Sequence, residues 1–369
     1  MMDFFASGYD AAEVMGILPH LEDAAYDVAG LAYVDAEGRA TSHLRYDTFR
    51  ALQGGRLLSL MRGDLEHVLR GALGDRVELR FGCSIDSVTS ADDRVTVTLT
   101  DRTSEDADLL VGADGIHSRV RELVFGPEQM FLRFLGYHTA AYVFTDHALC
   151  SRLDDAMRLR AEPGRQAGCY PLRDGRVATF YAHVADQPAM PEDPRATLHQ
   201  TYGDLGWVIP DALAHAPQPP ELYYDQVAQI EMPTWSHNRV TLVGDACQAV
   251  SLLAGQGASM AMGAAYVLAD ELSRTGDVPV ALTRYEARVK PAIQRKQAAG
   301  RRTADWLVPA THRRIAIRDG ALRLASLPGL SALLRPVLTT PGGSIVPRAN
   351  RDRSGERPRV GRGSCGTPS

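Results

Sequence analysis

Leu65, Val68, Leu69 and Leu73 recur at helical spacing, and the run predicts an amphipathic helix over Arg62–Leu73. Val95, Val97 and Leu99 alternate with Thr96, Thr98 and Thr100 and predict a strand over 94–100. Around these two segments the same reading places a helix over 8–18, built on Val14, Ile17 and Leu18. A strand follows over 31–34, closed by the turn Asp35-Ala36-Glu37-Gly38, with short strands at Val77-Glu78-Leu79 and over 84–88. Residues 107–111 predict a buried strand that runs into Gly112-Ala113-Asp114-Gly115, with a helix over 117–124.

Beyond residue 129 the pattern turns to long strands: 136–145, 157–161, 166–172, Arg176–Val184 and 221–230, interrupted by one helix over 194–205. That is the pattern of an antiparallel sheet. At Arg239-Val240-Thr241-Leu242-Val243 a short apolar strand returns, followed by Gly244-Asp245 and a helix over 257–272. A further helix starts near Pro279 and runs to about 307, with Pro291 as a kink point, and another covers 318–334 with a break at Pro328-Gly329. The expected fold class is α/β, with a first domain (1–128) interrupted by a β-rich substrate domain (129–232) and completed by 233–310. C-terminal helices (311–338) follow, then a Pro/Gly/Arg/Ser-rich tail (339–369) expected to be disordered. A cleft between two such domains is the default ligand site.

Composition narrows the function. The 369 residues are 45% hydrophobic and 23% charged, with a net charge of -5, which argues against general nucleic-acid binding. No apolar run reaches the length of a membrane span, and residues 1–5 lack the basic, then apolar, pattern of a signal peptide. Cys83, Cys150, Cys169, Cys247 and Cys365 are scattered without Cys-x-x-Cys spacing, which points to a reduced, cytoplasmic protein with no metal site. The sequence contains no HExxH, GxSxG or Walker loop.

Three segments carry candidate chemistry. Val111-Gly112-Ala113-Asp114-Gly115-Ile116-His117-Ser118-Arg119 combines glycines that permit close backbone approach with a helix start. Its aspartate reads either as a ligand group or as a plain N-cap. In Val243-Gly244-Asp245 an aspartate ends a strand, and the small-residue run to Gly255-Gln256-Gly257-Ala258 opens a helix whose positive end faces a ligand. In Arg62-Gly63-Asp64-Leu65 an arginine starts a helix after an apolar run.

In order and spacing these segments resemble the FAD-dependent aromatic-hydroxylase-type monooxygenases, the family of para-hydroxybenzoate hydroxylase and the tetracycline-inactivating hydroxylases. The resemblance covers roughly residues 2 to 310 and implies an FAD-binding Rossmann-like domain with an inserted antiparallel sheet. It implies that Arg62 contacts the adenosine–pyrophosphate portion of FAD and that Gly244 and Asp245 hold the ribose or pyrophosphate region. Gly255, Gln256, Gly257 and Ala258 would lie along the isoalloxazine ring. Asp114 and Gly115 would lie near the pyrophosphate, and Asp3 within reach of the cofactor. Gln248 stands where relatives often carry histidine, and Ser251-Leu252 where they carry Ser-Pro. No GxGxxG occurs in the chain, so the expectation is an FAD-binding domain whose first β-α-β unit, about 30 residues, is missing.

The activity so implied uses NAD(P)H to reduce FAD and O2 to form a flavin C4a-hydroperoxide, whose oxygen goes to an aromatic or polyketide-like small molecule. The cofactor carries that chemistry, and no side chain is required as a nucleophile. The inserted sheet should face the substrate, with Tyr170, Tyr181, His183, Tyr224 and Gln226 as polar-tipped candidates on its strands. Two alternatives stay open, an FAD-dependent reductase or dehydrogenase and a non-catalytic truncated remnant. A flavin halogenase would need a Trp-x-Trp motif, and Trp207, Trp235 and Trp306 are isolated.

Overall fold

A computed structural model of the chain describes residues 1–251, 255–326 and 343–348. The Pro328-Gly329 break and most of the expected tail lie outside the described residues. The apolar patterns fold largely as read. The helix Arg62–Leu73 has the predicted limits, Leu65 is buried, and Val68 and Leu69 join the same cluster. The strand Val95–Leu99 buries Val95 and Val97 and lies between Ile85–Ser90 and Ser104–Ala107 in a three-stranded antiparallel sheet. The first helical segment divides into Ser7–Val14 and Leu18–Ala24.

The element that organises the first domain is a small sheet in the order Ser236–His237, Val240–Leu242, Leu110–Gly112. The last two strands are parallel, with Thr241 beside Val111 and Leu242 beside Gly112, and Val243 N donates to Gly112 O at 2.9 Å. Both strands therefore end at the same edge, and each is followed there by its aspartate. Behind them Trp235, Val240, Leu242, Val267, Leu268, Leu282 and Tyr285 form the largest apolar cluster.

Two expectations are corrected here. The strand expected to be buried over 107–111 forms as Leu110–Gly112, a sheet edge among the described residues, and Val111 is 38% exposed. Val77-Glu78-Leu79 forms no strand: no described strand pairs with it, and Val77, Leu79 and Phe81 stand exposed, Phe81 by 71%. Alternation favours a strand only where a neighbour satisfies its backbone groups.

The second layer is an eight-stranded sheet. Its order is Tyr223–Ile230, Leu132–Ala141, Arg176–Val184, Arg165–Pro171, Ala156–Glu162, Gly30–Val34, Ala40–Arg45, with Val143–Thr145 paired to Arg176–Val184. It is not made from 129–232 alone. Gly30–Val34 and Ala40–Arg45, placed by sequence with the first domain, extend it, and Tyr33 pairs in parallel beside Leu159. Their apolar positions explain this: Tyr33 and Leu44 are buried against Leu159 and Leu322. Two further helices, His147–Arg152 and Ile209–Ala214, fall inside the β-rich segment.

One face of this sheet is covered by the helices Pro194–Tyr202 and Ile209–Ala214 through Tyr181, Tyr142, Leu198 and Leu213. The other meets Val308, the helix His312–Ala325 and the N-terminal segment. The helices Gly257–Arg274 and Val278–Leu307 complete the first domain. Within the stretch expected to be a solvated tail, Val346 is buried and Ile345 N donates to Ser7 Oγ at 3.1 Å; its apolar pair fills a groove beside Gly263. No described helix is long and apolar enough to cross a membrane.

Candidate cofactor site

The parallel pairing brings Asp114 and Asp245 to one edge, although 130 residues separate them in the chain. Their surroundings differ. Asp114 Oδ1 accepts from Ser118 Oγ at 2.6 Å and Oδ2 from Val120 N at 3.0 Å, so both oxygens serve the start of the helix Arg119–Phe125. Asp114 thus braces the helix start, whose N-cap is Ser118, with Oγ accepting from Arg121 N at 3.0 Å.

Asp245 is different. No described residue donates a hydrogen bond to its carboxylate. The side chain is open to solvent, yet it stands in a crowded recess. That crowding raises its pKa, against the opposing pull of Arg62. The recess adjoins the start of the 18-residue helix Gly257–Arg274, where a Cβ on Gly257 would sit 3.3 Å from Asp245 Oδ1. Gln256 supplies no side-chain cap, so the first-turn N–H groups point outward unsatisfied by a side chain. Gly255 holds a φ of +64° with open space where a side chain would be, so the backbone presents a bare edge to the cleft.

Arg62 makes no hydrogen bond or ion pair with a described residue, and its charge acts on Asp245, Tyr170 and Tyr223. Asp3 lies in the strand Met2–Phe5, paired antiparallel to Leu57–Leu60. Its Oδ1 accepts from Tyr46 Oη at 2.6 Å and Ser59 Oγ at 3.1 Å. Burial raises the Asp3 pKa, and those two hydrogen bonds oppose the shift.

Arg121, fully buried, binds the two motifs together. Its Nη1 donates to Ala246 O at 2.9 Å, and its Nη2 to Ile116 O at 2.7 Å and Glu128 Oε2 at 2.8 Å. Gln248 Nε2 donates to Tyr285 Oη at 2.7 Å and thereby ties the Asp245 segment to the helix behind it.

The substrate candidates divide between the faces of the large sheet. Tyr170 lies on the face toward Met1, Met61 and Met157. Tyr181 and His183 share the opposite face. Tyr181 shares a 2.8 Å hydrogen bond with Tyr142, and His183 Nδ1 lies 2.9 Å from Tyr202 Oη. Gln226 and Tyr224 lie on that face too, as their registers with His138 and Ala140 require. Burial pushes His183 down to about 4, with His138 adding to the shift.

Sequence reasoning missed Lys296. It sits on the inward stripe Val289, Ala292, Ile293, Lys296 of the helix Val278–Leu307, and its Nζ donates to Gln256 Oε1 at 2.5 Å. The spacing was a usable signal, since a lysine seven residues after one apolar position and three after another falls on a buried stripe. No group of three His, Cys, Asp or Glu side chains among the described residues is arranged for a metal ion.

A recess with an unpaired carboxylate, a bare glycine edge and an uncapped helix start has the donor and acceptor set to receive a hydroxyl-bearing, partly anionic, flat molecule. Comparisons with known proteins give the family. The sequence profile of the FAD binding domain matches residues 13–297. An uncharacterized protein of Mycobacterium tuberculosis (strain ATCC 25618 / H37Rv) is 33% identical over 317 residues, 83% of this chain and 82% of its own length. A flavin-dependent monooxygenase from an unknown prokaryotic organism is 31% identical over 300 residues, 78% of this chain and 75% of its own. Among solved structures, the tetracycline destructase Tet(55) superposes with a TM-score of 0.76 at 24% identity, covering 94% of this chain and 88% of that one, a likeness of fold.

Proposed function

This chain belongs to the FAD-binding family of flavin-dependent monooxygenases, and from that premise we propose that it uses NAD(P)H and O2 to hydroxylate an aromatic or polyketide-like small molecule. The observation that carries the placement of the site is the joint edge of Leu110–Gly112 and Val240–Leu242, with the unpaired Asp245 beside the uncapped start of Gly257–Arg274. Ligands of parallel α/β sheets bind at the carboxyl ends of the strands.

Bound FAD supplies the electron transfer and oxygen activation. The residues bind, orient and shield. Asp245 accepts hydrogen bonds from cofactor hydroxyls; burial in the recess raises its pKa, and the charge of Arg62 opposes the shift. Arg62 provides the unpaired cation for the pyrophosphate region. Gly255 to Ala258 offer backbone N–H groups to the flat ring. Gly115, Asp114 and Gly244 shape the loops, with Asp114 acting through the helix start it braces. Asp3 fixes the neighbouring strand pair through Tyr46 and Ser59.

For the substrate, the geometry favours the sheet face of Tyr170, where Met61, Met157, Leu172 and Ala178 provide an apolar lining that excludes water. The substrate class rests on the resemblance and on the fold shared with a protein named for tetracycline. Tyr181, His183 and Gln226 lie on the other face, and we assign them to packing.

The dinucleotide half carries a narrower proposal. Leu110–Gly112 is paired on one side only among the described residues, Val77, Leu79 and Phe81 are exposed, and no GxGxxG is present. These positions suit pairing with a further β-α-β unit.

The test is product analysis under 18O2 with NADH or NADPH and a panel of phenolic and multi-ring substrates. One 18O atom per product, coupled to NAD(P)H oxidation, is expected. Reductant oxidised without oxygen in any product, at equal rate without O2, would support the reductase reading instead.

A further inference from the structure

The inward stripe of the helix Val278–Leu307 is apolar at Val289, Ala292 and Ile293 and then polar at Lys296 and Gln297, all buried. Gln297 is accounted for by packing. Its Nε2 donates to Ile230 O at 2.7 Å and Ala249 O at 3.1 Å, and its own carbonyl accepts from Gln229 Nε2 at 2.8 Å. These bonds lock the helix to the sheet and to the segment after Asp245, and so fix the height of Lys296.

Lys296 is not accounted for in that way. Among the described residues no carboxylate pairs with it, and burial pushes its pKa down to about 8. Burying an unpaired ammonium is unfavourable, and a methionine would fill the same space without that cost. Among the described residues its amine reaches one acceptor, the side-chain carbonyl of Gln256. Gln256 is the middle residue of Gly255-Gln256-Gly257, directly before the uncapped start of an 18-residue helix. The ammonium thus stands behind the loop, and Asp245 stands beside its Gly257 end.

We propose that Lys296 is a positioning residue of the cofactor loop: it holds Gln256 by its carbonyl oxygen and, while protonated, adds to the helix start a positive charge that favours anionic forms of the bound flavin ring. The proposal rests on the reading that Gly255 to Ala258 lie along that ring. A cation close to a titrating group in a low-dielectric setting favours that group's anionic form, while a merely structural lysine some distance away leaves it unmoved.

The test compares wild type with Lys296→Met and Lys296→Arg, each reconstituted with FAD. The readouts are the reduced ring's ionisation by absorbance against pH, followed below the pH at which Lys296 itself deprotonates, and its midpoint potential against reference dyes. Loss of the charge in Lys296→Met should weaken the ring's ionisation constant by about tenfold, one pKa unit upward, and make the potential more negative. Lys296→Arg should keep both near wild type. If Lys296→Met does not fold, Lys296→Gln gives the same readouts with a polar, uncharged side chain. A neutral variant that binds FAD with unchanged ionisation and potential overturns the proposal. Failure of the underlying placement shows separately, as an unchanged FAD affinity in Asp245→Ala.

Discussion

Phe5 N donates a hydrogen bond to Ser259 Oγ at 3.2 Å, joining residues 254 positions apart. The bond lays the strand Met2–Phe5 against the first turn of Gly257–Arg274, so the N-terminal segment and the cofactor loop form one wall. Gly8, one turn further on, packs so closely that a Cβ there would stand 2.7 Å from the Ser259 Cα. Backbone cannot yield as a flexible side chain does. Gly8→Ala should therefore destabilise the protein by about 1–3 kcal/mol, read as a lower denaturant midpoint with an unchanged slope. An unchanged midpoint would mean that the two elements do not approach as described.

Arg121 carries a second expectation. Its guanidinium bonds Ala246 O, Ile116 O and Glu128, so one buried side chain holds the Asp114 segment to the Asp245 segment. Arg121→Leu leaves those two carbonyls without their donor and Glu128 with His117 alone. An unsatisfied buried acceptor costs about 1–3 kcal/mol. Thermal melting should show the loss, together with weakened FAD binding. Full stability with weakened binding would place Arg121 at the ligand itself.

His117 predicts a pH dependence. Burial lowers its pKa, but the hydrogen bond to Glu128 at 3.1 Å and the charge of Asp225, 3.3 Å from the other ring nitrogen, outweigh it and raise the net value. Arg121, bonded to the same Glu128, is the neighbouring cation. A histidine raised on folding stabilises fully below its unfolded value of about 6.5 and loses that contribution as pH rises through the folded value. Melting temperatures of wild type and His117→Gln, compared from acid to mildly alkaline pH, should differ most at the acid end and converge above it. A gap independent of pH would show that the bridge contributes nothing through its charge. Because His117 is half exposed, the effect should shrink with added salt.

Much of this was legible locally. Leu65, Val68, Leu69 and Leu73 gave their helix its limits, and Arg176–Val184 appears as read, because a period of 3.6 or 2 is a property of the segment itself. The unforeseen parts depend on distant neighbours. Tyr33 joins the large sheet by pairing in parallel with Leu159, more than a hundred residues away. Val77-Glu78-Leu79 alternates like a strand and stays irregular for want of a described partner. At the site, Asp114 and Asp245 both follow a strand and a glycine; the sequence leaves Asp114 open between a ligand group and an N-cap and assigns Asp245 to the ligand. Only the geometry separates the carboxylate engaged by Ser118 and Val120 from the one without a donor among the described residues.

That unpaired carboxylate is the most direct test of the account. FAD titration, followed by flavin fluorescence, should compare wild type with Asp245→Ala and with Asp114→Ala. If Asp245 receives cofactor hydroxyls, its loss removes a charged hydrogen bond of about 1.5–3 kcal/mol, a tenfold to hundredfold rise in Kd. Asp114→Ala should chiefly lower the melting temperature, by loss of its bonds to the helix start, worth about 1 kcal/mol. An Asp245→Ala protein that binds FAD as tightly as wild type would contradict the placement of the cofactor at this edge.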